Sequence, residues 1–213
     1  MTPMKHRGML ISIEGGEGAG KSTVLHAVRD LLVDRGLDVV LTREPGGTAC
    51  GEAIREILLD PEGQPCAETE LLLMFAARAQ LVAEVIRPAI GRGEAVLTDR
   101  FTDASFAYQG GGRGIDMGLI AELERWAAGI KPDLTLLLDV GVSVGLARAR
   151  SRGTAPDRIE NEQVEFFERV RAVYLARAAA EPERFRIIDA SQAPDAVLDA
   201  VGSALTSWLD RPR

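Results

Sequence analysis

Histidine, cysteine and lysine are nearly absent from this chain. Among 213 residues there are only His6 and His26, only Cys50 and Cys66, and no C-x-x-C pair. Neither a zinc site nor a disulfide framework is supported by so few, scattered ligands. No apolar run reaches the roughly 18 residues of a membrane span, because charges, glycine or proline interrupt every candidate. Positive charge is also scarce: 25 basic against 32 acidic residues leave a net charge of −7. That balance argues against a general coat of nucleic acid or anionic membrane, so neither is expected as a partner. Met1 to Arg7 is too short and polar for a signal peptide, and the cytoplasm is the expected compartment. What remains is ordinary globular composition, 46% hydrophobic and 27% charged, which excludes disorder, collagen and coiled coil. At roughly 150 residues per domain, residues 1–213 are expected to form one domain.

Apolar runs alternate with segments of helical period. Met9-Leu10-Ile11-Ser12-Ile13, bounded by Gly8 and by Glu14-Gly15, reads as a buried strand. From Ser22 to Arg35, Val24, Leu25, Val28, Leu31 and Leu32 recur at helical spacing, and Gly36 caps the end. Further strands are expected at Val39-Val40-Leu41, Ala95-Val96-Leu97, Leu134 to Leu138 and Arg186-Ile187-Ile188, with a long helix from about Glu70 to Pro88. This alternation predicts an α/β chain with a central parallel sheet of about five strands covered by helices on both faces. Ligands then sit at the carboxyl ends of the strands. Gly110-Gly111-Gly112-Arg113-Gly114 and Arg152 to Asp157 read as mobile loops, and a lid is expected around residues 148–160.

The strongest local signal lies between the first strand and the first helix. Gly15-Gly16-Glu17-Gly18-Ala19-Gly20-Lys21-Ser22, followed by Thr23, matches the P-loop pattern G-x-x-x-x-G-K-[ST] in the strand-to-helix context that it requires. The expected architecture is therefore a three-layer P-loop fold. Glycines let backbone N–H groups turn inward around an anion, the helix start adds positive potential, Lys21 reaches terminal phosphates and Ser22 can ligate magnesium. A phosphate loop specifies a nucleotide but not a reaction. No N-K-x-D guanine motif occurs, and the chain has no room for the extra domains of a motor. A kinase needs a second anion site, charge neutralisation at the transferred phosphoryl group and closure against water.

Three clusters supply such parts. Asp99-Arg100 closes the third strand, where side chains reach the ligand crevice; Arg100 can clamp phosphate there, and Asp99 is a second candidate for magnesium, through water. A surface ion pair is the plainer alternative. Arg148, Arg150 and Arg152 crowd one segment, either as a polyphosphate site or as a solvated helix face. Arg78 falls on an apolar helical stripe with Leu71, Met74 or Phe75, Val85 and Ile86, so it either meets a planar hydrogen-bonding ligand or packs its stem and reaches solvent with its head.

Together these residues resemble bacterial thymidylate kinases. The resemblance covers nearly the whole chain: the phosphate loop with Glu17, then Thr42-Arg43-Glu44-Pro45-Gly46-Gly47-Thr48, Phe75-Ala76-Ala77-Arg78, Asp99-Arg100-Phe101 and Tyr108-Gln109-Gly110-Gly111-Gly112-Arg113-Gly114. It implies transfer of phosphate from ATP to thymidine monophosphate with Mg2+, by a homodimer. The alternatives from the residues alone are a kinase for another nucleoside monophosphate and a nucleotide-dependent switch. By resemblance Glu17, Lys21, Arg100 and the lid residue Arg152 are catalytic, and Gly15 to Thr23 with Arg148 bind ATP. Glu17 contacts the acceptor's sugar hydroxyl, Glu44, Pro45 and Arg55 line the acceptor side with Arg55 on its phosphate, and Arg100 lies between the substrates. Arg78 meets the thymine, with Ser105 and Gln109 beside it, and Tyr108 excludes a ribose 2′-hydroxyl. Either Phe75 or Met74 stacks on the base, and Phe75 is the expectation. A serine common in the family falls on Ala104 here, next to Ser105. Gly18 leaves the phosphate loop without an arginine, which suits members that carry one in the lid.

Overall fold

The computed structural model describes residues 7–151, 153 and 157–211. Strands β1 (Met9–Gly15), β2 (Val39–Arg43), β3 (Ala95–Asp99), β4 (Leu134–Asp139) and β5 (Phe185–Asp189) form one sheet in the order β2-β3-β1-β4-β5, and every neighbouring pair is parallel. All seven residues of β1 are buried because helices cover both of its faces. Met9, Ile11 and Ile13 point to α1 (Lys21–Asp34) and α9 (Pro194–Leu209), meeting Val24, Val28 and Leu32 on one and Val201 and Leu205 on the other. The alternate residue Leu10 joins Val96, Leu81 and Ile86 on the opposite side. The three-layer α/β architecture expected from alternating runs is the one observed. No helix among the described residues is long and apolar enough to cross a membrane.

Register brings the carboxyl ends together. Ile13 pairs with Asp99, Asp99 with Arg43 and Gly15 with Leu138, so β1, β2 and β3 deliver the phosphate loop, Arg43 and Asp99 to one edge. Three local expectations change. β1 runs through Glu14, which is buried rather than a polar boundary. Helix α3 (Ala67–Leu81) does not stop at Pro88 but continues through a π-helical turn at Val82–Ile86 into α4 (Arg87–Arg92). Proline has no N–H to donate, and the wider turn ahead of it, where Arg87 N–H bonds the Val82 carbonyl, accommodates it inside the helix.

The glycine run is not a mobile loop either. Helix α5 (Thr102–Ser105) continues as a π-helical segment, Phe106–Gly112, packed against α8 (Val164–Ala180). A Cβ on Gly111 would stand 2.7 Å from Val173 Cγ2, and one on Gly112 2.3 Å from the Phe166 ring. The glycines serve close helix packing, not flexibility. The remaining helices are α2 (Ala49–Leu59), α6 (Met117–Leu123), extended by a π-helical turn at Glu124–Ala128, and α7 (Val142–Arg150).

Candidate active site

Gly15, Gly18 and Gly20 have φ of 144°, 67° and 88°, values that a side chain resists, and they curl the chain from β1 into α1. The first turn of α1 carries no carboxylate, so its N–H groups and positive dipole end face the loop uncompensated. Lys21 Nζ donates to the carbonyls of Gly15 and Gly16 at 3.1 and 2.8 Å. Burial, then Arg100, lower its pKa, while Glu17 and Asp99 oppose the shift. Gly18 bears a second constraint: its Cβ would stand 2.0 Å from the Gly145 carbonyl of α7, and a Cβ on Gly145 would stand 2.4 Å from the Glu17 carbonyl. Backbone meets backbone there, so any side chain at position 18, an arginine included, would require α7 to move away from the loop.

The loop forms one wall of a cleft of about 450 Å³. Glu17 to Thr23, Glu44, Pro45, Arg55, Met74, Asp99, Arg100, Ala104, Tyr108, Gln109 and Arg148 line it. At its centre Arg100, with φ of 67°, is held by bonds from its N–H to Ile13 O and from Thr98 Oγ1 to its carbonyl, while the next N–H, of Phe101, bonds Glu14 Oε1 at 2.7 Å. This strained backbone aims the guanidinium inward. Arg100 Nη2 donates to Glu17 Oε1 at 2.5 Å and to the Tyr108 hydroxyl at 2.7 Å, and that hydroxyl donates to Glu17 Oε1 at 2.9 Å. Burial acts to raise Glu17, but Arg100, Lys21 and the two hydrogen bonds outweigh it and bring its pKa down to about 2. The cleft thus holds an ionised acceptor beside two fixed cations.

Arg78 is buried with its charge matched. Its Nε donates to Glu44 Oε2 at 2.8 Å, Nη1 to Ser105 Oγ at 3.0 Å and Nη2 to the Phe101 carbonyl at 3.2 Å. Burial pushes the Glu44 carboxyl up, and the Arg78 guanidinium opposes it. Arg78 neither packs as a stem alone nor reaches solvent; it sits behind Glu44 and Met74. The expectation for Phe75 is corrected here. Its ring lies beneath Arg78, 4.5 Å from the guanidinium carbon, in a cluster with Leu71, Phe106 and Ile120, and Met74 faces the cleft instead. One helical position turns a side chain by about 100°, enough to exchange wall for core. Ser105 likewise points at Arg78 while Ala104 lines the cleft.

Arg55 lies on the wall with Nη1 on the Pro45 carbonyl at 2.9 Å, and burial, then Arg43, lower its pKa. Arg148 reaches from α7 to the carbonyls of Ala190 and Ser191. Arg152 lies outside the described residues, as do positions 154–156 of the expected lid. Downstream, Arg158 is tied to the Leu58 carbonyl and to Glu70. For magnesium, the fit is favourable: Asp99 Oδ1 is buried without a hydrogen-bond partner among the described residues, and Ser22 lines the same cleft. No group of three or more His, Cys, Asp or Glu side chains among the described residues could hold a metal alone, as suits an ion that takes most ligands from phosphate and water.

Sequence reasoning passed over Glu14, Glu70 and Arg43. Glu70 left a signal: it lies four and eight positions before Met74 and Arg78 on the same helical face, a charge among apolar residues.

The thymidylate kinase family model matches residues 13–201. The chain is 55% identical over 207 residues to the thymidylate kinase of Pseudomonas putida strain W619, covering 96% of this chain and 100% of that one. It is 56% identical over 212 residues to the thymidylate kinase of Chromohalobacter salexigens, covering 98% of each. The crystal structure of thymidylate kinase from Ehrlichia chaffeensis superposes with a TM-score of 0.76 at 32% identity, over 95% of this chain and 98% of that chain.

Proposed function

The chain belongs to the thymidylate kinase family, and we propose that it works as one P-loop kinase domain whose central cleft carries both substrates. It is an ATP-dependent kinase that phosphorylates thymidine monophosphate to the diphosphate. The observation that supports assigning the chemistry to this cleft is the hydrogen-bonded Glu17–Arg100–Tyr108 triad, which ties a carboxylate of the phosphate loop to two side chains from beyond β3 that line the same cleft.

In this reading Gly15 to Thr23 cradle ATP's phosphates with backbone N–H groups, and Lys21 neutralises charge on the oxygens around the transferring group. Arg100 holds phosphate between donor and acceptor. Glu17, ionised throughout the working range, accepts a hydrogen bond from the acceptor's sugar hydroxyl, and Tyr108 fills the space of a 2′-hydroxyl beside it. Arg55 binds the acceptor phosphate, and Glu44 with Pro45 shape the wall behind it. Gln109 addresses the base from the cleft wall, Arg78 with Ser105 backs that wall through Glu44, and Met74 rather than Phe75 lies against the face of the base. Arg148 and Arg152 belong to a lid at 148–160 that excludes water. Ser22 and Asp99 would hold Mg2+, the second through water, and the ion would supply charge neutralisation and orientation of the phosphates.

The same reading makes the protein a cytoplasmic homodimer. The exposed thiols Cys50 and Cys66 suit a reducing compartment. Leu72, Leu119 and Trp126, the last 80% exposed, lie on contacting helical elements and offer an apolar face to a second copy. A coupled assay across all nucleoside monophosphates tests the activity: no ADP release above background with thymidine monophosphate would end this reading. Sedimentation tests the dimer, and a monomer at micromolar concentration would remove it.

A further inference from the structure

Gln109 projects from the π-helical segment into the cleft wall, wholly buried, and the two ends of its amide have different fates. Nε2 donates to Glu70 Oε1 at 2.9 Å. Oε1 has no hydrogen-bond partner among the described residues. Glu70, 1% exposed on α3, also accepts from Arg113 Nε at 3.3 and 3.2 Å and from Arg158 Nη2 at 2.7 Å. We propose that Glu70 is a specificity-determining positioning residue: it locks the Gln109 amide so that a bare carbonyl oxygen, never the NH2 group, is presented to the substrate base.

An amide side chain is nearly symmetric in shape, so shape alone cannot choose its orientation. A carboxylate can. It accepts and never donates, and turning Gln109 over would press oxygen against oxygen in a buried site. Glu70 remains an acceptor because burial, which acts to raise its pKa, is outweighed by hydrogen bonds from Gln109, Arg113 and Arg158. The two arginines supply the countercharge that lets a carboxylate stay ionised there.

A fixed acceptor selects a ring nitrogen that carries hydrogen. A pyrimidine with an imide N–H between two carbonyls satisfies it, whereas one whose ring nitrogen is itself an acceptor, as in a cytosine base, leaves two lone pairs facing each other. This step rests on the reading that the cleft holds the base of thymidine monophosphate. Glu70 touches no substrate and acts only through Gln109.

A double-mutant cycle separates this from a structural role. Steady-state constants for dTMP and dCMP are measured for the wild type, Glu70→Gln, Gln109→Met and the double variant, with thermal stability alongside. Glu70→Gln can donate as well as accept, so it frees the amide to turn. It should raise KM for dTMP about tenfold with kcat within about threefold, and narrow the dTMP to dCMP ratio of kcat/KM about tenfold. With Gln109→Met already present, Glu70→Gln should move that ratio less than about twofold. If Glu70→Gln does not fold, Glu70→Asp, which keeps the charge and withdraws it from Gln109, carries the same expectation. An equal loss on both nucleotides, or the same effect with and without Gln109, overturns the proposal. A wild-type enzyme that fails to turn over dTMP overturns the function assigned to the cleft instead, which distinguishes the two failures.

Discussion

The two walls of the cleft are built by different means. The phosphate-loop wall is a contiguous stretch, Gly15 to Thr23, whose working groups are backbone N–H groups, one helix end and Lys21. The acceptor wall is assembled from β2 onward, with Glu44 after that strand, Arg78 and Glu70 on α3, and Ser105 and Gln109 on the helix after β3, joined through buried side-chain ion pairs and hydrogen bonds. A backbone site recognises what all nucleotides share. A side-chain site fixes individual donors and acceptors, and so can distinguish one base from another. The cost lies in stability, because each member of such a network is buried and depends on its neighbours.

That contrast is broken most severely at Arg78. Removing it by Arg78→Ala leaves Glu44 buried without its cation, and loss of one partner of such a pair destabilises by roughly 3–5 kcal/mol. Thermal unfolding should show the loss, and in the surviving folded enzyme KM for dTMP should rise far more than KM for ATP. Equal rises would show that Arg78 supports the fold alone. The phosphate-loop wall should behave in the opposite way. Lys21→Ala should lower kcat by about a hundredfold to a thousandfold while leaving the unfolding temperature nearly unchanged, since among the described residues the ammonium's hydrogen bonds go to two loop carbonyls. Arg100→Ala should lower kcat to a similar degree, but it also leaves Glu17 without its guanidinium partner and so should lower the unfolding temperature as well. Near-normal turnover at saturating substrate in either variant would remove that residue from the chemistry.

Beneath both walls lies Glu14, whose pKa is raised from 4.5 to about 8 by burial, then by the Asp103 carboxylate, against the Tyr174 hydroxyl, Arg100 and the Phe101 N–H. Between those two values the unfolded chain has released the Glu14 proton and the folded protein keeps it. The folded state therefore binds more protons, and stability falls as pH rises from about 4.5 towards about 8, with no further change from this group above that. The slope for one proton is about 1.4 kcal/mol per pH unit. Denaturant unfolding at about pH 5.5 and about pH 7.5 should show a smaller decline in Glu14→Gln than in the wild type. Identical declines would show that Glu14 does not carry the linkage.

The fold was legible because its signals are local and periodic. Each of the five strands announced itself as an apolar run, and the P-loop pattern located the ligand edge before any pairing was known. Misreadings arose where tertiary contacts override local character. Gly110 to Gly112 look like punctuation, yet they are the close-packing surface for Phe166 and Val173. Pro88 reads as a terminator, and the π-helical turn before it absorbs the missing donor. On the acceptor wall, the apolar stripe marked Arg78 and resemblance supplied Glu44 and Gln109, but neither supplied Glu70, because its part is defined by three side chains distant in sequence.

The smallest kinetic effect sharpens the comparison most, since it concerns neighbours on one helix. Phe75 is 2% exposed and packs with Leu71, Phe106 and Ile120 under Arg78, so Phe75→Ala opens a cavity in the core and should cost roughly 3–5 kcal/mol of stability. Met74 has the core on one side and the cleft on the other. Met74→Ala should lose less stability, under about 2 kcal/mol, while forfeiting apolar contact with the base worth about 1 kcal/mol, a roughly fivefold rise in KM for dTMP. Neither should alter KM for ATP. Thermal unfolding and steady-state kinetics on the two variants decide the assignment. If Phe75→Ala raises KM for dTMP at unchanged stability while Met74→Ala leaves it alone, the base stacks on Phe75, and the face of α3 turned to the cleft differs from the one described.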